Sequence, residues 1–167
     1  MELKYGETEE IWEEIDNSVM WEYKNLSPLK NEEGREIYLA IIEEVLYLVK
    51  FDSNKRTKLL ELHGKLGHEK CEHFQLVISG DQKMVAIADA IRTRGLVFHL
   101  VQREIIFEFG REDYYAYRSP FPVAWITKKI DPNTQLLLFG VTWNRLNLFD
   151  PITQKSHLPA AGISCIP

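Results

Sequence analysis

Cysteine is scarce in this chain of 167 residues: Cys71 and Cys165 lie too far apart in sequence to suggest a disulfide framework. The length is enough to bury a core without one. Long apolar runs are missing as well, since no stretch approaches the ~18 uninterrupted apolar residues of a membrane span. The first residues, Met1-Glu2-Leu3-Lys4-Tyr5-Gly6, lack the apolar centre of a signal peptide. A reduced, cytoplasmic protein with no membrane partner is the expectation. Positive charge is in deficit: 25 acidic against 20 basic side chains give a net charge of −5, the wrong sign for a protein that lives on nucleic acid or anionic lipid. Nucleic acid is therefore not an expected partner. Among catalytic signatures, there is no Gly-x-Ser-x-Gly elbow, no Gly-x-x-x-x-Gly-Lys loop and no Gly-x-Gly-x-x-Gly turn. No cofactor is expected, and the residues lean toward a non-enzyme without excluding an enzyme.

What is present is 45% apolar and 27% charged residues, the composition of an ordinary globular domain. The first sixteen residues carry seven carboxylates. Within them, residues 8–15 read as a short helix with Thr8 as its N-cap, Glu9 and Glu10 in the first turn, and Ile11, Trp12 and Ile15 as the apolar stripe. Such an acidic helix either docks a partner or simply caps the domain. From Ser18 onward, short apolar runs rich in β-branched and aromatic residues alternate with turn residues, which is a strand signature. Twelve runs are legible, at 19–23, 36–42, 46–51, 58–62, 74–78, 84–88, 96–101, 104–109, 122–126, 136–141, 145–149 and 156–158. Ile37, Ile41, Val45 and Leu48 also fall at helical spacing. The Glu43-Glu44 interruption and the hairpin-like Phe51-Asp52-Ser53-Asn54-Lys55 favour two strands over one helix there.

Three stretches repeat: Leu46-Tyr47-Leu48-Val49-Lys50-Phe51-Asp52, Arg94-Gly95-Leu96-Val97-Phe98-His99-Leu100 and Asn144-Arg145-Leu146-Asn147-Leu148-Phe149-Asp150. Their spacing of about fifty residues, with four strands per unit, is the size of a β-propeller blade. The fold expected is mostly β: one domain of about three antiparallel four-stranded blades, a partial propeller. Its parts are an N-terminal helix (1–17), blades at 18–64, 71–110 and 121–158, and a small apolar tail (159–167).

Ser79-Gly80-Asp81-Gln82-Lys83 followed by Val85-Ala86-Ile87-Ala88, and Leu148-Phe149-Asp150-Pro151 before Thr153-Gln154-Lys155, resemble the blade turns and strands of WD-repeat-like propellers. The likeness covers residues 74–158 well and 18–64 loosely. No Trp-Asp pair closes a strand, so that family's hydrogen-bond tetrad is not carried over. Phe121-Pro122-Val123-Ala124 with Gly140-Val141-Thr142-Trp143-Asn144-Arg145-Leu146 is similar to a group of bacterial propeller-type proteins, a resemblance that implies no known chemistry. Three blades do not close a ring. Either the chain is a shortened relative of a longer propeller, or two copies complete six blades as a homodimer, or the chain's own ends plug the open faces.

Arg92 and Arg94 beside Asp89, with Trp143, Asn144 and Arg145 at the matching place in the third unit, would lie on one face. They form a candidate site for a protein partner or a small anion, because guanidinium groups pair with carboxylate and phosphate. The alternative is that these arginines only hold the hairpin loops. Tyr114 and Tyr115, in the charged run 111–118, are interface candidates or inter-blade packing. His63, His68, Cys71 and His73 carry the donor types of zinc, at looser spacing than the common motifs, and a polar connector explains them equally well. The adjacent carboxylates Glu43 and Glu44, read as strand residues, would point to opposite faces and share no proton-transfer task.

Overall fold

The computed structural model describes residues 11–15, 24–30, 36–65, 74–89, 95–109, 121–131, 133–142 and 145–157. They form three antiparallel sheets, with no helix among the described residues. The first contains β1 (Glu13–Glu14), β2 (Lys24–Lys30), β3 (Glu36–Ile42), β4 (Val45–Lys50) and β5 (Lys55–Glu61), in the order β1-β5-β4-β3-β2. The second is a meander of β6 (Phe74–Ile78), β7 (Met84–Asp89), β8 (Gly95–His99) and β9 (Glu104–Phe109). The third is a meander of β10 (Phe121–Thr127), β11 (Gln135–Thr142), β12 (Arg145–Asp150) and β13 (Lys155–His157). No helix of the described residues is long and apolar enough to cross a membrane.

Period-two alternation decides which face each strand offers. In the first sheet, Ile37, Leu39, Ile41, Leu46 and Leu48 join one buried cluster with Phe74, Val85, Ile87, Leu96 and Phe98 of the second. The opposite face of the first sheet, with Ala40, Ile42 and Val49, forms a separate cluster with Ile15, and Tyr38, Tyr47 and Phe51 pack against it. The second sheet turns Met84, Ala86, Ala88 and Val97 toward Leu137 and Trp125 of the third. Small alanines leave room there for the indole, whose Nε1 donates to the Val77 carbonyl at 2.8 Å. Between sheets, β2 packs on β6, and β10 on β6 and β7.

The segment 36–49 is two strands, as the interrupting glutamates suggest: β3 and β4 pair from Tyr38↔Val49 to Ile42↔Val45. One expectation meets a different outcome. Of the helix expected over 8–15, only residues 11–15 are described, and they are not helical. Glu13 and Glu14 instead pair with Arg56 and Lys55 as an added edge strand. A helix that short is marginal by itself. The edge of β5 offers backbone partners and opposite charge: Arg56 Nε donates to Glu13 Oε1 at 2.7 Å, and Ile15 N donates to the Asn54 carbonyl at 2.9 Å. Lys50 also lies 3.8 Å over the Trp12 ring. The expected run 19–23 lies outside the described residues, and β2 is a strand that the expected runs did not include. Its lysines and Pro28 hide the pattern, and Pro28 is tolerated because β2 ends the sheet.

One connection has the same build in all three sheets. Between the third and fourth strands of each meander, four residues turn and end in the left-handed region, at Asn54 (φ 55°), Arg103 (φ 59°) and Gln154 (φ 58°). A side-chain acceptor holds each turn: Asp52 Oδ1 takes Ser53 N at 2.7 Å, His99 Nδ1 takes Gln102 N at 3.1 Å, and Asp150 Oδ1 takes Ile152 N at 2.9 Å.

Phe98 is 1% exposed between the first and second sheets. Phe98→Ala is expected to lower stability by about 3–5 kcal/mol in urea denaturation. A tip substitution, Ile130→Ser at 91% exposure, is expected to change it by about 0.5 kcal/mol or less.

Candidate functional site

Successive connections of a meander fall at opposite ends of its sheet. The turns at 79–83 and 100–103 thus share one end of the second sheet, and the connection from β7 to β8 lies at the other. The third sheet is aligned with the second, because Gly80 N donates to Gln135 Oε1 at 3.1 Å, joining their first turns. Gln135 is 2% exposed, and its Nε2 donates to Thr127 Oγ1 at 3.0 Å. At this turn end, Leu100 N also donates to the Lys83 carbonyl at 2.7 Å, binding the two turns of the second sheet together.

At the opposite, loop end, Asp89 closes β7 opposite Phe74 and is 2% exposed. Gly95 opens β8, and Thr142 and Arg145 pair where β11 passes into β12. Arg92, Arg94, Trp143 and Asn144 fall in the connections that these residues bracket and lie outside the described residues, as do Tyr114 and Tyr115. Arg145 is placed as the first residue of β12.

The matching end of the first sheet is the tight turn between β3 and β4. Glu43 (φ 48°) and Glu44 (φ 61°) are both left-handed, the geometry of a two-residue hairpin that ordinarily takes Asn-Gly. Holding two glutamates there costs about 1–2 kcal/mol each. Contrary to the strand reading, the two carboxylates are turn residues. Glu43 is exposed, whereas the Glu44 side chain is 11% exposed and its Oε2 lies 2.9 Å from His63 Nδ1. Leu62 N donates to the Glu44 carbonyl at 2.7 Å, fixing the approach of His63. The His63 ring is 75% exposed, so its Nε2 edge faces solvent beside a partly buried carboxylate. This pair can orient an imidazole for a ligand or a proton. Glu44 was not legible as its partner because the two are nineteen residues apart.

Of the candidate metal ligands, His63 alone is described; His68, Cys71 and His73 lie outside the described residues. Among those described, no three His, Cys, Asp or Glu side chains come together as a metal site.

His99, at the turn end, is a second titratable group that sequence reasoning missed. It is 8% exposed, and burial pushes its imidazole below the usual value; Asp81 and Glu104 oppose this and Lys83 adds to it. Accepting Gln102 N at Nδ1 further requires the neutral ring with its proton on Nε2. Its signal in the sequence was its place just before a four-residue turn, the place that Asp150 holds in the third sheet.

Glu43→Gly, at an exposed left-handed position, is expected to raise stability by up to about 1 kcal/mol in urea, strain relief outweighing the added freedom of the unfolded chain. His99 binds a proton less readily in the folded than in the unfolded state, so its contribution is complete above about pH 6.5 and is lost as pH falls through the lowered folded value. Nitrogen-15 NMR is expected to show the Nε2–H tautomer at neutral pH, and His99→Gln is expected to flatten the fall in stability across that window.

In comparisons with known proteins, no family model matches the chain and no curated protein matches it. Its own residues and their geometry therefore carry the functional reading.

Proposed function

We propose that the chain is a non-enzymatic interaction module: a partial propeller of three four-stranded blades that presents its loop end to a protein or a small anionic ligand. The observation that carries this reading is the approach of β2 and β10 to β6. Sheets arranged around a common axis approach most closely at their inner strands. The four-residue turns ending at Asn54, Arg103 and Gln154, spaced by about fifty residues, support the same repeat. In such an arrangement the connections holding Arg92, Arg94, Trp143 and Asn144 gather with Arg145 and the Glu43–Glu44 turn. Loops on a rigid scaffold are where binding residues concentrate. Arginine beside tryptophan suits carboxylate or phosphate, and Tyr114 and Tyr115 would extend the contact. The low cysteine content fits a cytoplasmic setting.

Affinity capture with the wild type and with the R92A/R94A/R145A variant, compared by quantitative mass spectrometry, tests the reading. A partner depleted on the variant is expected; one retained equally by both removes the assignment.

The orientation of His63 by Glu44 favours a second reading, a metal-dependent protein, since a carboxylate on one imidazole nitrogen frees the other for a metal. Protein purified without chelators would then hold near one equivalent of zinc and lose it on His63→Ala. Negligible metal in the wild type defeats this alternative.

A further inference from the structure

β1 and β2 are the outer strands of the first sheet, at opposite edges in the order β1-β5-β4-β3-β2. The four steps between them, at about 4.8 Å each, make about 19 Å across the sheet. They are offset along it as well. Ile15 is level with Asn54, to whose carbonyl its N–H donates at 2.9 Å. Lys24 pairs with Ile41, Ile41 with Leu46 and Leu46 with Leu60, which puts it about 20 Å further along the sheet at about 3.3 Å per residue. The combined separation is about 27 Å, whereas the nine steps of chain from Ile15 to Lys24 reach about 30 Å at full stretch. A link within one chain leaves almost no slack.

The seat of the segment is built from both faces of that edge. Trp12 packs against the cluster between the first and second sheets, and Lys50 Nζ lies 3.8 Å from its ring centroid. Ile15, 4% exposed, joins Ala40, Ile42 and Val49 on the opposite face. Arg56 Nε donates to Glu13 Oε1 at 2.7 Å, and Asn54 Nδ2 donates to the Ile15 carbonyl at 2.9 Å. None of these contacts depends on the segment coming from the same copy.

We propose that this segment is exchanged between two copies of the chain, each seating its Trp12-Glu13-Glu14-Ile15 on β5 of the other. Short connections under strain favour such an exchange. Every contact of the segment is kept, and the demand that one chain span the sheet is relieved. The exchange is reciprocal, so it closes as a symmetric dimer. It uses none of the residues of the loop end and stands whether or not the reading above is correct.

Disulfide trapping of the full chain tests it. E14C and K55C, each in a C71S/C165S background, place one thiol at each member of a directly opposed, exposed pair. Refolded together and oxidised, they are expected to give a disulfide-linked dimer on non-reducing electrophoresis, well above either variant alone. Position 14 of one copy then faces position 55 of the other. The wild type is expected to sediment as a dimer at micromolar concentration. A short Gly-Ser spacer inserted between Asn17 and Ser18 is expected to weaken that dimer about tenfold or more, because it supplies the missing slack. Circular dichroism verifies that each variant is folded. A wild type that stays monomeric, a mixture with no more linked dimer than the separate variants, or a spacer variant that dimerises as tightly as wild type overturns the proposal.

Discussion

In the second sheet, the two central strands are buried along their whole length, from Met84 to Asp89 and from Gly95 to His99. A sheet with side chains buried on both faces requires a cover on each side, and the first and third sheets supply them. The rest of the structure follows from this demand. It sets which face of β3 and β4 turns inward, brings Trp125 to the Val77 carbonyl, and draws the first turns of the second and third sheets within hydrogen-bonding distance at Gly80 and Gln135. Burial of each large side chain contributes about 1.5–3 kcal/mol, so the sheets are held by area, and the few polar links between them fix alignment.

The two ends of the sheets differ in how their backbone is held. At the turn end, side-chain acceptors repeat: Asp52, His99 and Asp150 each secure a four-residue turn whose last residue is left-handed. At the loop end of the first sheet, two consecutive left-handed glutamates are kept in place by the short connection between β3 and β4, and the carboxylate of one meets an imidazole from beyond β5. Strain of this kind persists where surrounding structure fixes it, and it gathers at sites with a task. The same residues that limit the turn to two positions also put a partly buried carboxylate beside an exposed ring.

Much of the strand order was legible because its causes are local. Alternating apolar residues marked β3, β6, β7 and β9 to within a residue, and Asp, Asn, Gly and Pro marked the reversals. β2 was missed because Lys24, Lys30 and Pro28 break the apolar pattern in a strand that ends its sheet. Residues 8–15 read as a helix by spacing, yet residues 11–15 are described without one, since the edge of β5 supplies an alternative that spacing does not register. Of the candidate site, His63 was visible by type, but its partner was not. Gln135 and His99 carry no motif and acquire their roles only from the turns that they touch.

The amino-acid sequence by itself determined the class of structure: mostly β, in antiparallel strands joined by tight turns, with an acidic start. Alternation and turn chemistry act over a few residues, so they can be read along the chain. Tertiary structure alone decided which faces meet, that Glu13 and Glu14 become an edge strand, and that Glu44 reaches His63. It also decided that Gly80 is tied to a glutamine 55 residues away. Those pairings depend on how whole sheets pack, and no local pattern encodes the approach of segments so distant in sequence.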